Sequence, residues 1–279
     1  MFDDMRHDMR LVTCCAASVL DEEQLQDLTS SACLLNAMRH AGGDGSPTPT
    51  PAPPSSDGFP PWPEASGSVK VDETIRLAEG ETLDGDLVRY YGIGDGSQDE
   101  SQDPMFRLED GATLRNVIIG APAGDGVHCY GSCLLENVWW EDVGEDAGTS
   151  KGSSTGTMTI SGGGARDSED KIFNHNSAGT MVVKNFQADG FGKLVRSCGS
   201  CGSQYKRKIV VENCKLSNGK VVVGVNVNLD DIAILSGLVV DNENMKVCEW
   251  YNGVEGGDSE KLGNGPNSSC KYDPETVFA

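Results

Sequence analysis

The sequence predicts an all-β protein folded as a parallel β-helix. Short β-branched runs recur after residue 112, and at equivalent points they are 21, 23, 25, 28 and 24 residues apart. These points are Asn116, Asn137, Ile160, Asn185, Asn213 and Gly237. Coils of this length, with no helical pattern between them, bury their inward side chains by stacking on neighbouring coils. A β-sandwich fits less well, because its strands follow one another at roughly 8 to 12 residues through hairpin turns.

The turn residues favour the same fold. The chain has 35 glycines and only 37% hydrophobic residues, and glycine supplies the positive φ values that tight turns require. Asparagines at corresponding turns are expected to stack into a ladder, in which each side-chain amide bonds the next.

Composition divides the chain into three regions. Residues 44–66 are predicted to be a Pro/Ser/Thr-rich linker, since eight of the twelve prolines lie between Pro47 and Pro63. Residues 1–43 form an N-terminal extension with one short amphipathic helix. Within it, residues 9–20 resemble a weak export signal beginning at Met9, behind an acidic leader. Residues 67–279 form the predicted β-helix.

The charge balance excludes several partners. With 22 Lys and Arg against 43 Asp and Glu, the net charge is -21, which argues against nucleic acid and anionic membranes as partners. No apolar run approaches the roughly 18 residues of a membrane span. An anionic substrate would need a bridging cation or a local basic patch.

The ten cysteines indicate an oxidising compartment and therefore secretion. We expect disulfides between Cys129 and Cys133 and between Cys198 and Cys201. A CxxC pair can also bind zinc, but no second pair completes a tetrahedral set. Asn267 begins a glycosylation sequon, usable if the chain is secreted.

Three carboxylates form the clearest candidate site. Asp125 precedes Glu145 and Asp146 by 20 and 21 residues, about one coil, so all three are expected to lie together. Carboxylate oxygens are the ligands that Ca²⁺ prefers, and three like charges packed together without a cation would cost stability. A solvated acidic turn is the alternative interpretation.

Cationic residues follow one and two coils later. Lys171 is followed by Lys193 and Arg196, which are three residues apart. They are predicted to form a basic strip beside the calcium site, suited to a polyanionic carboxylate substrate. The alternative is that they are salt-bridge partners in an acidic protein.

Three stretches together resemble a known family. DGVHCYGSCLLENVWWEDVGEDAGTSK, SGGGARDSEDKIFNHNSAGT and FGKLVRSCGSC are similar to the pectate lyases of polysaccharide lyase family 3, over roughly residues 67–279. The resemblance implies a secreted enzyme with a right-handed single-stranded parallel β-helix of the pectin-lyase-like type. It also implies Ca²⁺-dependent β-elimination of polygalacturonate or low-esterified pectin to 4,5-unsaturated oligogalacturonides. We expect a monomer.

The resemblance also implies roles for seven residues. Asp125, Glu145 and Asp146 match the calcium ligands, and Lys171 matches the catalytic base. Lys193 and Arg196 match cations that bind substrate and stabilise charge, and Lys151 matches a substrate-binding lysine. A lysine acts as a base only when deprotonated, so we expect a lowered pKa for Lys171 and an alkaline rate optimum.

The chain departs from the family at Gly144, where fungal members commonly have cysteine. Seven cysteines remain from Cys129 onward, so at least one is unpaired or bonded to the N-terminal region. This departure motivates an alternative function, a catalytically weak or inactive relative that binds pectin through calcium. A structural β-helix adhesin is a third alternative, although it leaves the carboxylate and lysine set unexplained.

Two pairs of residues have weaker claims to function. At most one of Trp139 and Trp140 is expected to be exposed for sugar stacking, because adjacent strand residues face opposite ways. His128 and His175 are expected to make structural hydrogen bonds.

Overall fold

A computed structural model describes residues 58–99, 101–241 and 244–278. The predicted N-terminal extension, the amphipathic helix and most of the predicted linker lie outside the described residues. The described part contains 16 strands in one sheet system and one short 3-10 helix, Val227–Leu229. No helix in this part is long and apolar enough to cross a membrane.

The strands are β1 (Gly67–Lys70), β2 (Ile75–Leu77), β3 (Thr82–Tyr91), β4 (Phe106–Leu108), β5 (Ala112–Ile119), β6 (Val127–Tyr130), β7 (Cys133–Trp140), β8 (Gly148–Lys151), β9 (Thr157–His175), β10 (Gly179–Lys184), β11 (Gln187–Ser197), β12 (Arg207–Asn226), β13 (Ile232–Val240), β14 (Lys246–Asn252), β15 (Glu260–Asn264) and β16 (Cys270–Lys271).

The strands stack in parallel along two main faces. On the first face the order is β1, β3, β5, β7, β9, β10, β12, β13, β16. On the second, β2, β4, β6 and β8 lead to the end of β9, followed by the ends of β11 and β12 and by β14. The all-β, parallel β-helix prediction is confirmed.

The core consists of rows of apolar side chains, one from each coil. Register places seven aliphatic residues in one continuous row on the first face. Each is buried, and burying such a side chain contributes about 1.5 to 3 kcal/mol before the entropy cost of ordering the chain. The row consists of Leu83, Leu114, Leu135, Ile160, Val183, Val211 and Leu235.

The predicted asparagine ladder exists but is interrupted. Asn137 Nδ2 donates to Asn116 Oδ1 at 2.8 Å, and Asn213 Nδ2 donates to Asn185 Oδ1 at 2.7 Å. All four asparagines have positive φ values between 51° and 54°. The choice of Ile160 as the intervening equivalent was wrong, because Ile160 pairs with Leu135 inside the core. The corresponding turn residue is Gly162, with φ 73°, which has no amide and so breaks the ladder.

The described end of the predicted linker packs against the β-helix. Phe59 is buried, and Gln187 Nε2 donates to the Pro60 carbonyl at 2.6 Å. Trp62 lies edge-on to Trp139 at 4.9 Å, with the Arg166 guanidinium 3.5 Å from the centroid of its ring. Residues 58–66 are therefore part of the folded domain.

Three disulfides stabilise the described chain. Both predicted pairs, Cys129–Cys133 and Cys198–Cys201, are confirmed, and Cys248 pairs with Cys270. The odd cysteine of this region is Cys214, which is free and buried in β12. Burial raises the pKa of its thiol to about 12, so it behaves as an apolar core residue.

Candidate metal centre and active site

The stacking of coils brings the candidate ligands together. Val127 pairs with Gly148, so Asp125 and Asp146, two residues earlier on each coil, begin adjacent coils. Ala147 N–H donates to the Ile172 carbonyl, which places Lys171 beside Asp146. Lys171 in turn pairs with Lys193. One row of side chains on the second face thus has carboxylates on two coils and lysine amines on the next two.

Asp125, Glu145 and Asp146 form a compact cluster. One carboxylate oxygen from each lies within 4.8 Å of the others, and the residues are 2%, 3% and 2% exposed. Burial and the charge of Asp146 raise the pKa of Glu145 to about 9, and burial raises the pKa of Asp146 to about 6. The free carboxylates therefore pay a large electrostatic penalty.

The cluster fits a hard cation. Asp125 Oδ1 and Asp146 Oδ1 are buried without a hydrogen-bond partner, and such orphaned oxygens are rare unless something else satisfies them. Their neighbours hold them in place: His128 Nε2 contacts Asp125 Oδ2, and Thr149 Oγ1 donates to Asp146 Oδ2 at 3.1 Å. An oxygen-only ligand set of this kind suits Ca²⁺.

Lys171 lies directly against the cluster. Its Nζ is 3.1 Å from Glu145 Oε1 and 3.7 Å from Asp146 Oδ1. Burial lowers the pKa of Lys171, but Asp146, Glu145 and Asp170 outweigh burial and raise it above its ordinary value. The shift is thus opposite to the lowered pKa that a base requires.

The two other candidate lysines approach from either side. Lys151 Nζ lies 3.5 Å from Asp125 Oδ2, with 28% of its side chain exposed. Lys193 Nζ lies 3.1 Å from Asp170 Oδ1. Burial raises the pKa of Asp170, but Lys171 and Lys193 lower it more, so this carboxylate stays ionised. Both lysines remain accessible to a ligand.

Arg196 shares the face but is enclosed. Its Nη1 donates to Asn226 Oδ1 at 3.0 Å, and its guanidinium stacks 4.0 Å from the centroid of Tyr251. The residue is 7% exposed, and burial lowers its pKa to about 10. The structure therefore places Arg196 in a rigid socket, away from direct contact with the carboxylates.

The weaker candidates have structural contacts. Trp139 and Trp140 are both buried; Trp139 Nε1 donates to Asn137 Oδ1 at 2.7 Å, and Trp140 packs against Phe173. His175 Nδ1 shares a hydrogen bond with Ser150 Oγ at 2.7 Å. These contacts give Trp139, Trp140 and His175 structural roles in the core.

Gly144 is tightly enclosed. A Cβ atom there would lie 2.6 Å from the Gly124 carbonyl oxygen. That same oxygen accepts a hydrogen bond from Glu145 N–H at 3.2 Å. Glycine thus closes the coil against its neighbour next to the cluster.

Sequence reasoning missed Asp170 and Tyr251. Adjacent strand positions normally face opposite sides, so nothing in SEDK suggested that Asp170 and Lys171 would act together. A register shift between Phe191 and Lys193, where β11 pairs with β9, breaks this alternation. Tyr251 lies 55 residues after Arg196, and no local pattern connects the two.

Comparison with known proteins identifies the family. The pectate lyase family model matches residues 60–258. A probable pectate lyase E of Neosartorya fischeri is 44% identical, over 76% of this chain and 84% of its own length. Pectate lyase E of Emericella nidulans is 43% identical over the same shares.

Solved structures agree with the sequence relatives. The catalytic domain of pectate lyase PelI from Erwinia chrysanthemi superposes with a TM-score of 0.63 at 34% identity, over 77% of this chain and 97% of that domain. PelI solved with tetragalacturonic acid gives a TM-score of 0.62 at 34% identity, over 75% of this chain and 69% of its own. The chain described here belongs to the pectate lyase family of enzymes.

Proposed function

We propose that this chain is a secreted pectate lyase that cleaves α-1,4-linked polygalacturonate and low-esterified pectin by Ca²⁺-dependent β-elimination. The products are 4,5-unsaturated oligogalacturonides. The observation that carries the proposal is the buried cluster of Asp125, Glu145 and Asp146, with orphaned oxygens beside Lys171. Ca²⁺ held there supplies positive charge that neutralises a uronate carboxylate and acidifies the adjacent C5–H bond.

Lys171 is the base in this proposal. Its amine takes the proton from C5, the C5–H electrons form the C4–C5 double bond, and the C4–O bond breaks to release the leaving chain. Neutralising Glu145 and Asp146 removes charges that raise the pKa of Lys171, so the amine becomes available at lower pH. An alkaline optimum follows, and a flat rate between about pH 6 and 10 would count against Lys171 as base.

The other cations hold the substrate. Lys151 and Lys193, both partly exposed, pair with uronate carboxylates on either side of the cleavage point. Arg196, fixed by Asn226 and Tyr251, presents permanent charge towards the anion that develops as C5 loses its proton. Positively charged groups fixed in advance stabilise such an anion without reorganising.

Secretion is supported by the disulfides. Three of them lie in the described residues, and such bonds persist in oxidising compartments. Asn267, whose side-chain oxygen accepts from Ser269 N–H at 2.7 Å, lies in a turn and is partly exposed. This partial exposure supports use of the sequon for glycosylation.

One assay tests the proposal. Purified protein is incubated with polygalacturonate in Ca²⁺ or EDTA, and unsaturated product is followed by absorbance at about 235 nm, a Ca²⁺-dependent signal being expected. Binding of polygalacturonate without product would instead support the weak or inactive pectin-binding relative. No binding and no product would contradict both.

A further inference from the structure

Asp170, in β9, bridges two of the proposed active-site amines. Its Oδ2 accepts a hydrogen bond from Lys171 Nζ at 3.0 Å, and its Oδ1 accepts one from Lys193 Nζ at 3.1 Å. The two lysines come from adjacent coils and pair in register. One carboxylate thus joins two cations that would otherwise repel each other.

Asp170 differs from the three cluster carboxylates. Its side chain is 48% exposed, whereas those of Asp125, Glu145 and Asp146 are almost fully buried. It is not among the three residues whose oxygens converge within 4.8 Å. Both of its oxygens are satisfied by amines, so its role is to hold amines.

This difference matters for Lys171. A cation in the cluster would use oxygens of Glu145 and Asp146, which Lys171 Nζ contacts at 3.1 and 3.7 Å, and it would repel the ammonium by charge. The hydrogen bond from Lys171 Nζ to Asp170 Oδ2 uses no oxygen of the cluster, and a neutral amine can donate it as well as an ammonium. Asp170 therefore retains Lys171 beside the site while the cluster is occupied.

The same carboxylate orients Lys193. A lysine side chain has several rotatable bonds and loses considerable rotamer entropy when fixed. An ion pair formed before substrate arrives removes part of that cost from binding. Because Asp170 is half-exposed, a uronate carboxylate can approach Lys193 without Asp170 leaving.

We propose that Asp170 is a positioning residue that holds the amines of Lys171 and Lys193 at a set separation, one towards C5 and one towards a uronate carboxylate. The proposal rests on the lyase function proposed above. Asp170 bonds the two amines, is not part of the carboxylate cluster, and acts through the two lysines.

Steady-state kinetics of Asp170→Asn test this role. We expect kcat to fall about tenfold and KM for polygalacturonate to rise about threefold, because displaced groups weaken both catalysis and binding. Glu169→Gln is the matched control, since it removes the same charge from an adjacent exposed residue and should leave both constants unchanged. Asp170→Glu keeps a carboxylate and should recover part of the loss.

Thermal unfolding and calorimetric Ca²⁺ titration exclude trivial causes. All variants should unfold within a few degrees of the unmodified protein, and Asp170→Asn should change the Kd for Ca²⁺ by less than about threefold. A fall in kcat with KM unchanged, accompanied by an equal fall in the amount of folded protein, would overturn the positioning role. Equal kinetics for Asp170→Asn and Glu169→Gln would overturn it as well.

A second measurement does not depend on catalysis. Lysine acetylation by a water-soluble acylating reagent, followed by peptide mass spectrometry, should modify Lys193 about threefold faster in Asp170→Asn than in Glu169→Gln, because the ion pair is lost. An unchanged acetylation rate of Lys193 in Asp170→Asn would overturn the proposal that Asp170 holds Lys193. Faster acetylation in a protein that makes no unsaturated product would support the hold and reject the lyase function.

Discussion

Two stacks of polar side chains run along this β-helix, and they differ in whether neighbouring side chains can satisfy one another's hydrogen bonds. In the ladder, Asn116 and Asn137, and likewise Asn185 and Asn213, bond at 2.8 and 2.7 Å. In the cluster, one carboxylate oxygen from each of Asp125, Glu145 and Asp146 lies within 4.8 Å of the others. An amide both donates and accepts, so identical amides satisfy each other, whereas ionised carboxylates only accept.

The difference favours the carboxylate cluster as the functional stack. Repeating coils place equivalent residues side by side whether or not they attract. Neutral amides gain from this placement, while the carboxylates are left with orphaned oxygens and with raised pKa values at Glu145 and Asp146. A stack that costs stability in the free protein and suits a cation is best explained by binding.

The largest expected effect comes from removing the amine next to the cluster. Lys171→Met should lower kcat about 1000-fold, because general base catalysis contributes on that order. Calorimetry should show Ca²⁺ affinity retained or increased, since the ammonium that contacts Glu145 and Asp146 is gone. Retained full activity would remove Lys171 from the role of base.

Asp146→Asn makes the cluster more like the ladder. We expect Ca²⁺ affinity to fall about 100-fold, because charge and ligand number determine it. In EDTA the variant should gain about 1 kcal/mol in free energy of unfolding, because a buried charge is removed from a functional site. Denaturant titration with and without Ca²⁺ measures both effects, and a variant destabilised in EDTA would contradict the electrostatic cost assigned to the cluster.

His175 tests whether another buried, uncharged side chain stabilises the fold as the ladder amides do. Burial, and then the charge of Arg207, lower its pKa from 6.5 to about 3. Below the unfolded pKa the unfolded chain binds more protons, so stability contributed by neutral His175 is present above pH 6.5 and is lost as pH falls towards 3.

We expect this loss to be about 2 kcal/mol between pH 6.5 and about pH 4.5. Urea denaturation across this range measures it, and His175→Gln serves as the control that does not titrate. An equally steep acid loss in His175→Gln would assign the effect to other groups.

The smallest effect comes from making the ladder resemble the cluster. Asn137→Asp removes the Nδ2 donor to Asn116 while keeping an acceptor for Trp139 Nε1. We expect the free energy of unfolding to fall by about 1 kcal/mol, as for a lost hydrogen bond, with kcat unchanged. A change in Ca²⁺ affinity in this variant would show that the two stacks are coupled.

Much of the site is predictable from coil spacing. Asp125 and Asp146 are 21 residues apart, which is one coil, and this spacing alone brings them together. Coil spacing misplaces one ladder position, Ile160 for Gly162, because this turn carries glycine and lacks the asparagine that marks the turns at Asn116, Asn137, Asn185 and Asn213.

Other features lie beyond the reach of periodicity. The bridging role of Asp170 depends on a local register shift opposite Phe191 and Lys193. The packing of Trp62 on Trp139 joins a proline-rich segment to a strand about 77 residues away, a distance that follows no repeat.

Coil length, turn chemistry and the order of acidic and basic residues along the stack follow directly from the spacing of residues in the sequence. They specify a β-helix with carboxylates leading into lysines along one face. The enclosure of Arg196 by Asn226 and Tyr251, the bridge at Asp170 and the closed coil at Gly144 need the folded chain. The physical reason is that stacking repeats with every coil. Side-chain contacts across bulges and between loops join residues whose separation in the sequence is not a multiple of the coil length.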